Sequence, residues 1–327
     1  MLYVLNWLIL KITSLTAVNP VKSRLLSARW QLRCVVFLAI IQWAALGSGC
    51  AWLDVKQRNI IYRPTVGVPA DFAGLRAGDE RYFVNVPLPA LQERSTSASA
   101  TTQATEQIEM WWLPHPDALA PTLLYYHGTF RNLYQNLPKI NALRQAGFAV
   151  LAVEYRGWGR SSVIVPSEQT IVQDALLAFE ELRRRQPRAS QRVLYGHSMG
   201  SGVAVEVASR LNAPDDYGAI ILESALTSFP DVASEASWLG RLVAAFNSER
   251  FASIEKINKV QAPLLMLHGA QDTTVPIALG QRLFEAANAP KEFVSIAGAA
   301  HSNLQSADSA AYQNALKSFK NLYLVDR

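Results

Sequence analysis

The chain of 327 residues is 50% hydrophobic and 17% charged, which is enough to bury a large core and excludes a mainly disordered protein. Five of its 31 basic residues lie within residues 1–49, which contain no acidic residue, and the remaining 26 basic residues are matched by 26 acidic ones. This distribution argues against an evenly basic face for nucleic acid and predicts a targeting role for the N-terminal segment. Only Cys34 and Cys50 occur, so the rest of the chain has no disulfide, thiol nucleophile or cysteine metal site.

Residues 1–50 are predicted to be an N-terminal signal or membrane anchor. A basic stretch precedes an apolar stretch and the small residues that end at Cys50, which is the order of a secretory signal. The ending LGSGC resembles a bacterial lipoprotein signal, in which the cysteine is acylated. The alternative is an uncleaved anchor, because Cys34–Leu53 carries no charge and is just long enough to span a bilayer. Both readings predict a membrane-tethered protein of the bacterial cell envelope.

Residues 51–327 are predicted to form one α/β domain. Strand-like segments at 81–87 and 108–114 are separated by a polar stretch that is typical of a surface loop. Six short apolar runs follow, at 122–128, 148–157, 192–198, 218–224, 263–269 and 292–298. Helical patterns alternate with these runs at Leu137–Gln145, Ile171–Arg185, Gly200–Leu211, Ile277–Ala287 and Ala310–Leu324. This alternation predicts a doubly wound, mostly parallel eight-stranded sheet.

Residues 226–261 interrupt the alternation and predict a short helical lid. Five apolar residues in this stretch could line a pocket for an acyl chain, or could simply pack on the body of the protein. These residues are Trp238, Leu239, Leu242, Val243 and Phe246.

The segment GHSMG places Ser198 between a strand-like run and a helical pattern, with Gly196 and Gly200 two residues away on each side. Gly-x-Ser-x-Gly is the spacing of a nucleophile elbow, a sharp turn that presents a serine hydroxyl above a sheet. A serine nucleophile needs a base and a group that orients the base. Asp272 and His301 follow two later apolar runs in the expected order of serine, acid and histidine. They are therefore predicted to complete a catalytic triad.

Two backbone N–H groups are predicted to bind the oxyanion that forms during acyl transfer. One belongs to Met199, directly after the serine, and the other to Thr129, which follows the apolar run ending in His127 and Gly128. Glu223 also follows a strand-like run and remains an alternative for the triad acid.

These segments resemble the α/β-hydrolase superfamily, and within it the bacterial Bem46-like and serine-aminopeptidase-like hydrolases. The resemblance is carried by NIIYRPT, YYHGTF, VEYRGWGRSS, GHSMG and LESALTS and extends from about residue 57 to the end of the chain. It implies the α/β-hydrolase fold and a hydrolase. Glu154 stands where that family usually has aspartate, and we interpret it as a structural carboxylate.

The sequence therefore favours a serine hydrolase that cleaves a carboxylic ester or thioester through an acyl-Ser198 intermediate, with a small-molecule or lipid acyl substrate. A serine peptidase with the same triad and a catalytically silent envelope scaffold are the alternatives. No metal or other cofactor is predicted: no histidine pair has metal-ligand spacing, and Gly157 and Gly159 lack the third glycine and the acidic residue of a dinucleotide site.

Overall fold

A computed structural model describes residues 52–87, 105–236 and 248–324. The fold lies within one compact unit, Gln57–Arg327, and Met1–Lys56 forms a separate unit. The predicted signal or anchor at residues 1–50 lies outside the described residues. Within the described ranges, no helix combines the length and the apolar character needed to cross a bilayer.

An eight-stranded sheet forms the centre of the molecule. Its strands are β1 (Glu80–Asn85), β2 (Gln107–Leu113), β3 (Thr122–Tyr126), β4 (Ala149–Glu154), β5 (Arg192–His197), β6 (Ala219–Glu223), β7 (Leu264–Gly269) and β8 (Lys291–Ile296). Their order is β1-β2-β4-β3-β5-β6-β7-β8. Only β2 pairs antiparallel with its neighbours, and all other pairs are parallel. The predicted mostly parallel eight-stranded sheet is confirmed.

Helices cover both faces of this sheet. They are α1 (Leu133–Gln145), α2 (Glu168–Arg185), α3 (Met199–Ala208), α4 (Phe229–Ala236), α5 (Ile277–Ala286), α6 (Leu304–Ala307) and α7 (Ser309–Tyr323). Helices α2, α3 and α5 pack on one face, and α1 and α7 pack on the other. The central strands β3 to β7 are buried along their whole length because each face has a hydrophobic layer above it.

The predicted lid at 226–261 is described only in part. It contains helix α4 and two short 3-10 turns, Ser253–Glu255 and Ile257–Lys259. The five apolar residues proposed to line an acyl pocket lie within 237–247, outside the described residues. Their contribution to a pocket stays a prediction.

Candidate active site

Ser198 occupies the turn between β5 and α3. Its backbone has φ 56° and ψ −123°, a conformation that residues other than glycine rarely adopt. The Ser198 N–H donates to the carbonyl of Glu223 at the end of β6, at 2.9 Å. The adjacent parallel strand therefore holds the turn in this strained form, and such strain is characteristic of functional sites.

The two flanking glycines are required by the close approach of backbone segments. A Cβ atom on Gly196 would lie 2.1 Å from the carbonyl oxygen of Gly200, and one on Gly200 would lie 2.1 Å from the carbonyl oxygen of Tyr126. No side chain fits at either position without moving the backbone. The spacing read from the sequence thus corresponds to a turn in which strand and helix touch.

A chain of hydrogen bonds joins the three residues predicted to form the triad. His301 Nε2 lies 2.8 Å from Ser198 Oγ, and His301 Nδ1 lies 2.8 Å from Asp272 Oδ2. The other carboxylate oxygen of Asp272 accepts the N–H groups of Thr274 and Val275, each at 2.9 Å. The loops after β5, β7 and β8 bring these side chains together at the carboxyl edge of the sheet.

The charge of Asp272 fixes which nitrogen of His301 carries the proton. Burial alone would raise the pKa of Asp272, but the hydrogen bond and charge of His301 and the backbone N–H of Val275 outweigh it and hold the pKa below its usual value. An ionised carboxylate only accepts hydrogen bonds, so Nδ1 of His301 is the donor. Nε2 is then free to accept the hydroxyl proton of Ser198.

His197 positions the backbone of the His301 loop. Its Nε2 donates to the carbonyl of His301 at 3.0 Å, and Ser224 Oγ donates to the same carbonyl at 3.0 Å. Burial, followed by the nearby charge of Lys139, lowers the pKa of His197 to about 3, so this side chain is neutral. His197 thus joins the end of β5 to the loop that carries His301.

A small pocket of about 40 Å³ opens beside Ser198. Its walls include Gly128, Thr129, Phe130, Arg131, Ser198 and His301. Met199 is the first residue of α3, so its N–H has no helical carbonyl to bind. The structure thus places Thr129 in the wall of the pocket and Met199 directly after the serine, and their role as oxyanion donors stays a prediction.

Glu223, the alternative acid, is engaged elsewhere. Its buried carboxylate accepts hydrogen bonds from Lys139, Tyr195 and Tyr312, the last at 2.9 Å. Burial alone would raise the pKa of Glu223, but the ion pair with Lys139 outweighs it and lowers the pKa. The Nδ1 atom of His301 is hydrogen-bonded to Asp272, so it is not available to Glu223. Glu223 instead supports the elbow, because its backbone carbonyl accepts the Ser198 N–H.

Glu154 has the surroundings of a structural carboxylate. One of its oxygens accepts the N–H of Leu133 at the start of α1 at 2.9 Å, and the other lies 3.1 Å from Nε2 of His127. Both side chains are fully buried. Glu154 therefore connects the end of β4 to α1 and to the loop that carries Thr129. Across 52–87, 105–236 and 248–324, no group of three His, Cys, Asp or Glu side chains is placed to hold a metal ion.

The strand order, the serine elbow after the fifth strand and the acid and histidine after the seventh and eighth define an α/β-hydrolase. Comparison with known proteins agrees: the chain belongs to the α/β-hydrolase superfamily. The family described as "Serine aminopeptidase, S33" matches residues 118–255. The resemblance noted in the sequence is confirmed.

The chain is similar to proteins from bacteria, animals and archaea. An uncharacterised protein of Mycobacterium tuberculosis is 30% identical over 294 residues, which cover 88% of this chain and 95% of that protein. Lysophosphatidylserine lipase ABHD12 of Rattus norvegicus is 33% identical over 249 residues, or 65% of this chain and 62% of that protein. The Pyrococcus furiosus esterase Pf2001 superposes with a TM-score of 0.60 at 17% identity, over 80% of this chain and 98% of that one, a likeness of fold alone.

Proposed function

We propose that this hydrolase is a serine esterase that cleaves carboxylic esters or thioesters through an acyl-Ser198 intermediate. The observation that carries the proposal is the continuous hydrogen-bond chain from Ser198 through His301 to Asp272. Each link has the length of a direct hydrogen bond, and the serine end of the chain opens into a pocket.

In the proposed reaction, Ser198 Oγ attacks the carbonyl carbon of the substrate while its proton passes to Nε2 of His301. The negative charge on the substrate oxygen is stabilised by the N–H groups of Met199 and Thr129. The tetrahedral intermediate then collapses, and the alcohol or thiol leaves with the proton held by His301. Water, deprotonated by the same imidazole, attacks the acyl carbonyl; the bond to Ser198 Oγ then breaks, the carboxylic acid is released and the proton on His301 returns to Oγ. Asp272 remains ionised and stabilises the imidazolium in both halves of the reaction.

An ester substrate, and a lipid ester in particular, is supported by the relatives. One of them is a lysophosphatidylserine lipase, and a protein of similar fold is an esterase. The family description names an aminopeptidase, which keeps a serine peptidase as the second candidate. Comparing p-nitrophenyl esters of increasing chain length with a panel of aminoacyl anilides separates the two, because each substrate releases a chromophore only when its own bond is cleaved.

A fluorophosphonate probe tests the nucleophile. Folded wild-type protein should be labelled covalently, and Ser198→Ala should abolish labelling. Ser306→Ala, which removes a surface hydroxyl that bonds only within its own turn, is the matched control and should be labelled normally. If folded wild-type protein is not labelled, the result supports the catalytically silent scaffold instead.

We also propose that the protein is tethered to the membrane of a bacterial envelope, through lipid on Cys50 or through an uncleaved anchor. The order of basic, apolar and small residues before Cys50 supports this location. The mass of the N-terminal peptide of the mature protein distinguishes the two forms. A mature chain that begins at an acylated Cys50 supports processing, and an intact segment before it supports the anchor.

A further inference from the structure

Exposed apolar side chains collect at the carboxyl edge of the sheet, outside the hydrogen-bond chain of the site. They come from the segment before β1 and from the loops that follow β3 and β4. Within the set named below, Val163 and Val66 are the most exposed, at 74% and 55%. We call the set the apolar rim; it consists of Val66, Val68, Phe130, Val163 and Val165.

Backbone hydrogen bonds hold these segments side by side. Val66 forms a parallel bridge with Gly159 in the loop after β4, where Gly67 N donates to Gly159 O at 2.6 Å. The same segment bonds to the loop after β3, because Phe130 N donates to Tyr62 O at 3.3 Å. The three parts of the chain that supply the rim are therefore joined through their backbones.

The rim reaches the pocket itself. Phe130 belongs both to the rim and to the wall of the pocket that contains Ser198. Its φ of 55° is unfavourable for a side chain of this size, and the bond to Tyr62 helps to keep the ring in place at the surface. A surface that contacts the rim would thus contact the entrance to the active site.

Three exposed arginines accompany the apolar side chains. The Arg63 guanidinium lies 4.0 Å from the centre of the Phe130 ring, Arg131 lines the pocket, and Arg160 is adjacent to the bridge at Gly159. Among the residues that the structure describes, none of the three has a carboxylate within 4.0 Å. Apolar side chains mixed with unpaired cations are the composition of protein surfaces that lie on anionic lipid.

The chain that precedes the rim has the character of a membrane segment. The charge-free run Cys34–Leu53 ends 13 residues before Val66, and because residues 52–62 are helical, this stretch spans at most about 30 Å. A domain attached at that point remains close enough to a bilayer for its surface to touch it. A second protein is a weaker candidate, because unpaired arginines are costly to bury against a surface without matching acids.

We propose that the apolar rim docks on an anionic lipid bilayer and turns the Ser198 pocket toward acyl chains within it. The substrate would then be an ester drawn directly from the membrane, a refinement that depends on the proposed esterase function. The arginines would contact lipid headgroups, while the valines and Phe130 would enter the boundary between headgroups and acyl chains.

Substitution of Val66 by glutamate in the full-length protein tests the docking. Hydrolysis of a long-chain ester in phosphatidylglycerol vesicles should fall about tenfold, since a carboxylate replaces an apolar contact and faces like charge. Hydrolysis of soluble p-nitrophenyl butyrate should stay within about twofold, because Val66 does not line the pocket. Leu119→Glu is the matched control: Leu119 is 64% exposed but precedes β3, at the opposite edge of the sheet, and should lose neither activity.

The outcomes separate the two proposals. Equal vesicle rates for Val66→Glu and Leu119→Glu, or an equal loss on both substrates by Val66→Glu, would overturn the docking. A wild-type protein that hydrolyses no soluble ester would overturn the esterase function alone. Hydrogen exchange of the wild-type protein then tests docking without any activity: amides of 62–68 and 159–165 should gain protection on phosphatidylglycerol vesicles, and 115–121 should not. Absence of that protection refutes the rim as a lipid surface.

Discussion

Asp272→Asn is the substitution that tests the hydrogen-bond chain most directly. The two carboxylate oxygens of Asp272 have different partners: Oδ1 accepts two backbone N–H groups, from Thr274 and Val275, and Oδ2 accepts Nδ1–H of His301. An asparagine can preserve both backbone bonds only by placing its carbonyl oxygen at Oδ1. Its NH₂ group then faces His301, where the wild-type protein has an acceptor.

The consequence is that the neutral imidazole of His301 adopts the opposite tautomer. With a donor opposite, Nδ1 of His301 must accept a hydrogen bond, and the single proton of the neutral ring moves to Nε2. Nε2 can no longer take the proton of Ser198, so the general base is lost while the side chains keep their places. A tautomer reversal of this kind lowers kcat by about 10⁴, and that loss corresponds to about 5 kcal/mol in the activation barrier.

The assay is steady-state hydrolysis of p-nitrophenyl butyrate, with the rate of fluorophosphonate labelling as a second measurement and circular dichroism as a check of folding. We expect kcat to fall and KM to change little. Asp308→Asn is the matched control, because Asp308 caps α7 and asparagine caps helices equally well. The reasoning is refuted if Asp272→Asn keeps more than a tenth of the wild-type kcat, or if Glu223→Gln shows the 10⁴-fold loss instead.

Three further predictions concern stability. The pKa of His197 is about 3 in the folded protein and about 6.5 when unfolded, so the unfolded state binds the extra proton between these values and stability falls by about 1.4 kcal/mol per pH unit below 6.5. Urea titrations from pH 7 to 4 should show a shallower decline of the free energy of unfolding for His197→Gln than for the wild type, and an equally steep decline contradicts this. Gly196→Ala should destabilise the fold by about 3 kcal/mol, measured by thermal unfolding, because its methyl group meets a carbonyl oxygen at 2.1 Å; a wild-type melting temperature contradicts this. Lys139→Met should lower the free energy of unfolding by about 3–5 kcal/mol, because it leaves the buried Glu223 carboxylate without its counter-ion. The double variant Lys139→Met/Glu223→Gln should recover part of this loss in denaturant titrations. If the single and the double variant are equally stable, the ion pair does not have the proposed role.

The sequence predicts features that depend on short segments. The apolar run at 192–198 corresponds to β5, and the glycines around Ser198 mark the turn, because both patterns reflect contacts within a few residues. The proximity of Asp272 and His301 to Ser198 can also be predicted, because the carboxyl ends of parallel strands lie at the same edge of a sheet. That rule turns positions far apart in the chain into neighbours in space.

Features that depend on long-range packing are not visible in the sequence. Lys139 lies in helix α1, and a lysine in a helix that covers a sheet usually faces water, yet it is buried and pairs with Glu223, 84 residues later. The helix around it was predicted to begin at Leu137 but begins at Leu133, where Asn132 provides a capping box. Proline is most common in the first turn of a helix, so Pro138 in the interior obscures the true start.

The strand order also lies beyond local patterns. Strand β2 pairs antiparallel with β4 as well as with β1, so β4 lies between β2 and β3 in the sheet although it follows both in the chain. Nothing in an apolar run specifies its neighbour, since any two buried strands offer the same backbone groups for pairing.

The Lys139–Glu223 ion pair beneath the elbow separates the part of the site where substitutions disturb buried charge from the part where they do not. The backbone carbonyl of Glu223 accepts the Ser198 N–H, and its carboxylate pairs with buried Lys139, so a substitution there leaves a buried charge uncompensated directly beside the turn that carries the nucleophile. In the opposite wall of the pocket, the side chains of Phe130 and Arg131 are exposed and that of Ser302 is half-buried. Variant libraries intended to change substrate preference should therefore substitute residues of that wall and keep Lys139 and Glu223 unchanged.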